Sequence, residues 1–185
     1  MTHPNGCRTG DHHPDSLTIS RRHFLRLTAA TAGGVALYSS FVPGVLHAAG
    51  HTDALLLSCM DYRLINQIEH YMFKRCMRTK YDHVILAGAS LGALNDKFPA
   101  WGQTFWDHLD VAKKLHDIRS VIIMDHRDCG AYKVILGEDL SKDPQKETTV
   151  HKAQLEKLAA AVKKKYPELG IELLLMGLDG EVETL

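Results

Sequence analysis

Residues 54–63, ALLLSCMDYR, and residues 120–130, SVIIMDHRDCG, decide how this chain folds. Each begins as an unbroken apolar run and ends in polar residues around a cysteine or a histidine. Apolar residues without alternation fit a strand covered on both faces, as in a parallel sheet. Outward from these two, His83–Ala87, closed by Gly88, and Ile171–Met176 are runs of the same kind. Helical spacing fills the intervals. Leu64–Lys80 repeats Leu64, Ile65, Ile68, Tyr71, Met72 and Arg75, which puts Cys76 in mid-helix. Phe98–Asp117 reads as a proline-started loop and then a helix with Phe105, Leu109, Ala112 and Leu115 on one side. A short helix is expected at Ala131–Leu136, and Glu147–Tyr166 is amphipathic, bounded by Pro167 and Gly170. Gly88–Pro99 and Gly137–Pro144 read as loops, with Gly92 permitting a turn. Strands alternating with helices predict an α/β domain over residues 51–185, an open, mostly parallel sheet flanked by helices.

The 185 residues carry 22 basic and 22 acidic side chains. A formal charge of zero gives no long-range pull toward nucleic acid or anionic lipid, so neither is expected as a partner. Four cysteines are too few and too scattered for a disulfide framework.

Residues 1–50 read differently. A polar start leads to Ser20-Arg21-Arg22-His23-Phe24-Leu25-Arg26, then to the mildly apolar Leu27–Leu46 and a small-residue end at Ala48-Ala49-Gly50. A basic stretch, an apolar stretch and small residues make a secretory leader. Paired arginines before Phe-Leu resemble the twin-arginine kind, which predicts folded export to the periplasm or another extracytoplasmic space. Gly33, Gly34, Pro43 and the serine pair make the stretch a poor bilayer span, so no stable span is expected once it is removed.

Cys59 ends the first run, and His126 and Cys129 follow the third. In open α/β sheets, ligands gather at the carboxyl ends of strands. Two thiolates and one imidazole suit zinc, and three protein ligands leave a fourth position for water or substrate. The bland alternative makes Cys59 and Cys129 buried small hydrophobes, or a disulfide formed after export.

Cys59-Met60-Asp61-Tyr62-Arg63 and His126-Arg127-Asp128-Cys129-Gly130 together resemble the β-class carbonic anhydrases, whose signature is Cys-x-Asp-x-Arg followed by His-x-x-Cys-Gly. The resemblance implies a sheet of order 2-1-3-4 and one zinc ion per chain on Cys59, His126 and Cys129. It implies that a zinc-bound hydroxide hydrates carbon dioxide to bicarbonate. Asp61 would orient that hydroxide and Arg63 would hold Asp61, which could otherwise swing onto the zinc as a fourth ligand in a closed state. It also implies a homo-oligomer, at least a dimer. The family's Arg-Asn-Ala-Gly-Asn-like stretch corresponds here to Ile85-Leu86-Ala87-Gly88-Ala89, which keeps Ala87 and Gly88 and loses the polar side chains. That more apolar stretch keeps a second substrate class open, carbonyl sulfide or carbon disulfide hydrolysed at the same site. A zinc-binding protein without turnover is the third reading. Asp125, where the family has glycine, is expected either to bond a ligand or to face solvent. Glu147 and His151, one helical turn apart, read as a solvated pair, with a proton relay through His151 as the sharper alternative.

Changing Arg21 and Arg22 to lysine is expected to retain the precursor in the cytoplasm, as read by cell fractionation; normal export of that variant removes the leader argument.

Overall fold

The computed structural model describes residues 50–185, so the leader expected at residues 1–50 lies, but for Gly50, outside the described residues. Five strands form one sheet: β1 (Ala54–Cys59), β2 (Tyr81–Leu86), β3 (Ser120–His126), β4 (Gly170–Met176) and β5 (Val182–Thr184). Their order is β2-β1-β3-β4-β5. The first four are parallel, in the expected order 2-1-3-4, and β5 is a further strand, antiparallel to β4. Five helices accompany it among the described residues: α1 (Ile65–Lys74), α2 (Ala89–Leu94), α3 (Pro99–His116), α4 (Gly130–Leu136) and α5 (Pro144–Lys165). Short 3₁₀ turns occupy Tyr62–Leu64 and Leu140–Lys142.

Side chains alternate across β1 and β3, so each strand feeds two cores. On one face Leu55, Leu57, Val121 and Ile123 pack with Phe105 and Leu109 of α3 and Leu155 and Leu158 of α5. On the other, Leu56, Ile122 and Met124 pack with Leu64 and with Ile68 and Met72 of α1. Each such fully buried side chain contributes roughly 1.5–3 kcal/mol, which is why these strands read as continuous apolar runs.

Several boundaries differ from expectation. The first helix ends at Lys74, because Cys76 and Thr79 adopt positive φ (58° and 61°) and turn the chain toward β2; Cys76 is therefore outside the helix. The segment from Gly88 to Pro99 is not all loop, since α2 occupies Ala89–Leu94. The Leu140–Lys142 turn likewise interrupts the expected loop before Pro144. The last helix starts at Pro144, with the Asp143 side chain accepting from the Lys146 N–H at 3.0 Å. An aspartate cap with proline at the first helical position is a strong start signal. Among the described residues, no helix is long and apolar enough to cross a membrane.

Gly92 does not make a turn. It lies inside α2, where an added Cβ would stand 2.3 Å from the Ala87 carbonyl oxygen. Gly92→Ala is expected to destabilise the fold by about 3 kcal/mol, the upper end of overpacking costs. Urea unfolding measures this, and an unchanged midpoint contradicts the contact.

Candidate metal centre

Parallel pairing of β1 and β3, with Ser58 opposite Met124, brings Cys59 and His126 to neighbouring strand ends. Cys129, capping the start of α4, completes the group. The ligand atoms of Cys59, His126 and Cys129 all lie within 4.8 Å of one another, and all three residues are buried. The two sulfurs are 3.8 Å apart. His126 Nδ1 meets the Arg127 carbonyl oxygen at 2.8 Å, a contact only a protonated nitrogen can make, so Nε2 carries the lone pair. Nε2 is buried, without a partner at hydrogen-bonding geometry, and faces the sulfurs. An orphaned imidazole nitrogen beside two thiols is a donor set able to hold a metal ion.

The electrostatics agree. The Cys129 thiol donates to Cys59 and draws the Cys59 thiol well below its ordinary range, against the effect of burial. The Gly88 N–H, 3.3 Å from the Cys59 sulfur, adds to this. Cys129 is pushed up by the same hydrogen bond and by burial. Burial pulls His126 down, but contact with Cys59 and its charge outweigh that and leave it raised. Of the two sulfurs, Cys59 is thus the readier to give up its proton.

Asp61 and Arg63 sit at the rim. Asp61 caps the 3₁₀ turn: its Oδ1 accepts from the Arg63 N–H and from Nε, both at 3.0 Å, and its Oδ2 accepts from Nη2 at 2.7 Å. Those side-chain hydrogen bonds hold the Asp61 carboxyl down at about 2. Its Oδ2 is 3.9 Å from His126 Nε2. A cavity of about 660 Å³ opens over the group, walled by Met60, Ala87, Phe98, Trp101, Val134 and Ile135. Phe98 and Trp101 stack with ring centres 4.2 Å apart. Another surface hollow, about 540 Å³, is lined by Asn66, Glu69, His70 and His83 and includes none of Cys59, His126 and Cys129.

Residues 49–185 match the family described as "Putative carbonic anhydrase". The chain belongs to that family. Two relatives, uncharacterized proteins of Rickettsia conorii and Rickettsia bellii, are 39% and 38% identical over 140 residues. The matches span 76% of this chain in both cases, and 75% and 85% of the relatives. Solved structures similar to it include two β-carbonic anhydrases of Aspergillus fumigatus, CafA and an E54A mutant of CafD, each at 13% identity. They give TM-scores of 0.45 and 0.47, covering 78% and 72% of this chain and 80% and 88% of theirs.

Three residues of this carbonic anhydrase family member depart from their sequence reading. Asp125 neither bonds Cys59, His126 or Cys129 nor faces solvent. It is buried and accepts from the Ser90 N–H (2.9 Å) and Oγ (2.6 Å), from the Tyr132 hydroxyl (2.6 Å) and from His151 Nδ1 (2.9 Å). His151 is therefore a core residue, closed to solvent at 0% exposure, and not half of a solvated pair. Glu147 is buried too: its Oε1 accepts from the Asp128 N–H at 2.6 Å, and Arg127 reaches its Oε2 at 3.4 Å. A signal for both was available, because Glu147 and His151 continue the helical face of Leu155, Leu158 and Val162. Asp128, which received no role from the sequence, stands at φ 54° and accepts from Arg63 Nη1 through Oδ2 (2.7 Å) and from Nη2 through its carbonyl (2.9 Å).

Asp61 is expected to titrate near 2 in the metal-free protein and to climb toward the ordinary 3.8 in Arg63→Gln. Its folded value is depressed, so its ion pair stabilises the fold above the unfolded value and that contribution disappears as pH falls through about 2. Carboxyl-carbon NMR titration reads both values; an Asp61 insensitive to Arg63→Gln refutes the assignment.

Proposed function

We propose that this chain reversibly hydrates carbon dioxide to bicarbonate, with one zinc ion held by Cys59, His126 and Cys129. The observation that carries this is the sulfur separation. Two thiolates on a tetrahedral zinc, each about 2.3 Å from it, lie roughly 3.8 Å apart, and the two sulfurs here are 3.8 Å apart. Zinc supplies a Lewis acid that brings the deprotonation of bound water to near neutral pH.

The protein's own groups do the rest. Asp61, kept ionised by Arg63, is an acceptor only, and its Oδ2 stands 3.9 Å from His126 Nε2. A carboxylate so fixed accepts a hydrogen bond from the reacting water and turns the oxygen's free electron pair toward the cavity. Both Asp61 oxygens are engaged by Arg63, which keeps the carboxylate from turning toward the ligand atoms. Apolar walls at Phe98, Trp101, Val134 and Ile135 accept an uncharged linear substrate and favour the departure of a charged product. The same walls favour the second reading, hydrolysis of carbonyl sulfide or carbon disulfide, whose substrates are more apolar still. Met60, Tyr62, Ile65 and Ile85 are large apolar residues more than half exposed close to this end of the sheet. That patch supports the further proposal of a homo-oligomer, which light scattering tests. Export by the twin-arginine route belongs to this proposal as well and rests on the leader alone.

Cys59→Ser or Cys129→Ser is expected to lose most of the one zinc per chain found in the parent. Asp61→Asn is expected to keep its zinc and lose about 100-fold or more in kcat, the range for a positioned acid–base group. Metal analysis and stopped-flow hydration measure these. Turnover of the sulfur compounds alone selects the second reading, and a fully zinc-loaded protein inert toward all three leaves metal binding without turnover.

A further inference from the structure

The Asp61–Arg63 pair does not stand by itself. Arg63 donates four hydrogen bonds from its side chain, and only two reach Asp61; the other two go to Asp128. Asp128 is held in turn from below. Its carbonyl faces Arg63 at 2.9 Å and its N–H faces Glu147 at 2.6 Å, so the peptide groups on both sides of a left-handed residue are pinned. A non-glycine residue with positive φ stays there only when its surroundings over-determine it. The sequence supplies the anchor through Asp143-Pro144, which fixes the start of α5 and points Glu147, in its first turn, into the protein. Glu147 is only 4% exposed. A buried carboxylate is costly unless paired and bonded, and this one makes its shorter contact, 2.6 Å against 3.4 Å to Arg127, with the N–H of the residue that grips Arg63.

From this geometry we propose that Glu147 and Asp128 are positioning residues which, through Arg63, keep Asp61 off the metal and the fourth coordination position open. The inference rests on the metal reading given above, though not on the identity of the substrate. Glu147 fixes Asp128, Asp128 orients the guanidinium, and the guanidinium holds both Asp61 oxygens. Release at either outer member loosens the Asp128 side of the guanidinium, and Asp61, 3.9 Å from His126 Nε2, is then close enough to fill the open position itself.

The test uses cobalt(II)-substituted protein, whose visible spectrum reports what occupies the open position, with azide as the probe. In the parent, azide is expected to bind and shift the spectrum. Asp128→Asn keeps a residue type that tolerates positive φ, and Glu147→Ala removes the anchor; each is expected to weaken azide binding at least tenfold. Both should also lower kcat more than KM, by about 10- to 100-fold, as for other residues that orient metal-site groups. Adding Asp61→Asn to either variant is expected to restore the azide response, because the blocking group is gone; a merely structural defect is not repaired that way. The double variant Asp128→Asn with Glu147→Ala should lose no more than the worse single one. Parent-like azide binding in Asp128→Asn overturns the proposal, as does a loss that Asp61→Asn fails to rescue. Should Glu147→Ala not fold, Asp128→Asn and its rescue decide alone. If the azide pattern appears but no variant or parent hydrates carbon dioxide, the positioning role holds and the substrate assignment fails.

Discussion

Two sulfur atoms 70 positions apart in the chain stand 3.8 Å from each other, and the surrounding structure is organised to keep them so. Thiols at that distance are within hydrogen-bonding reach, and adding an imidazole nitrogen with no other partner makes a site of donors facing one another across buried space. Such a site is costly, because it buries polar groups together. It persists because β1 and β3 are locked side by side by backbone pairing and by apolar cores on both faces.

Polar groups finish what the apolar packing begins. Asp125 precedes His126 and draws Ser90 from α2, Tyr132 from α4 and His151 from α5 onto one buried carboxylate. Buried polar networks of this kind rigidify what they connect, and here one connects three helices to the strand end that carries the histidine. Arg127, on the other side, bonds Glu183 of β5 and Thr148 of α5. His126 is thus held between neighbours with separate anchors. Its ring orientation follows from backbone placement and from the carbonyl at Nδ1.

Much of this was legible beforehand, for identifiable reasons. Strands buried on both faces announce themselves as apolar runs, and four were read in place. The paired motifs at Cys59 and His126 placed the donors at strand ends, where the structure gathers them. What escaped lacks a local signature. α2 has six residues, too few to display a helical period, and β5 has three, with only Val182 half-buried. The first helix stops because Cys76 and Thr79 turn left-handed without glycine or asparagine to signal it. Glu147 and Asp128 are a different case. Both were visible as residues, but a carboxylate spacing says nothing about which backbone N–H it will meet across 19 positions of chain.

The two sides of the cavity differ in what they permit. Behind Ala87, Gly92 has no room for even one added carbon, and a Cβ on Gly88, at φ 77°, would press within 3.1 Å of Ala131. That wall is closed by the Ala87 carbonyl at Gly92 and by the Ala131 methyl at Gly88. Facing it are the tips of Val134 and Ile135 and the stacked rings of Phe98 and Trp101, side chains that can shrink or grow without disturbing the sheet. The cavity thus has one adjustable margin: its width and polarity follow from side chains on the helical side, while the glycine side admits little change.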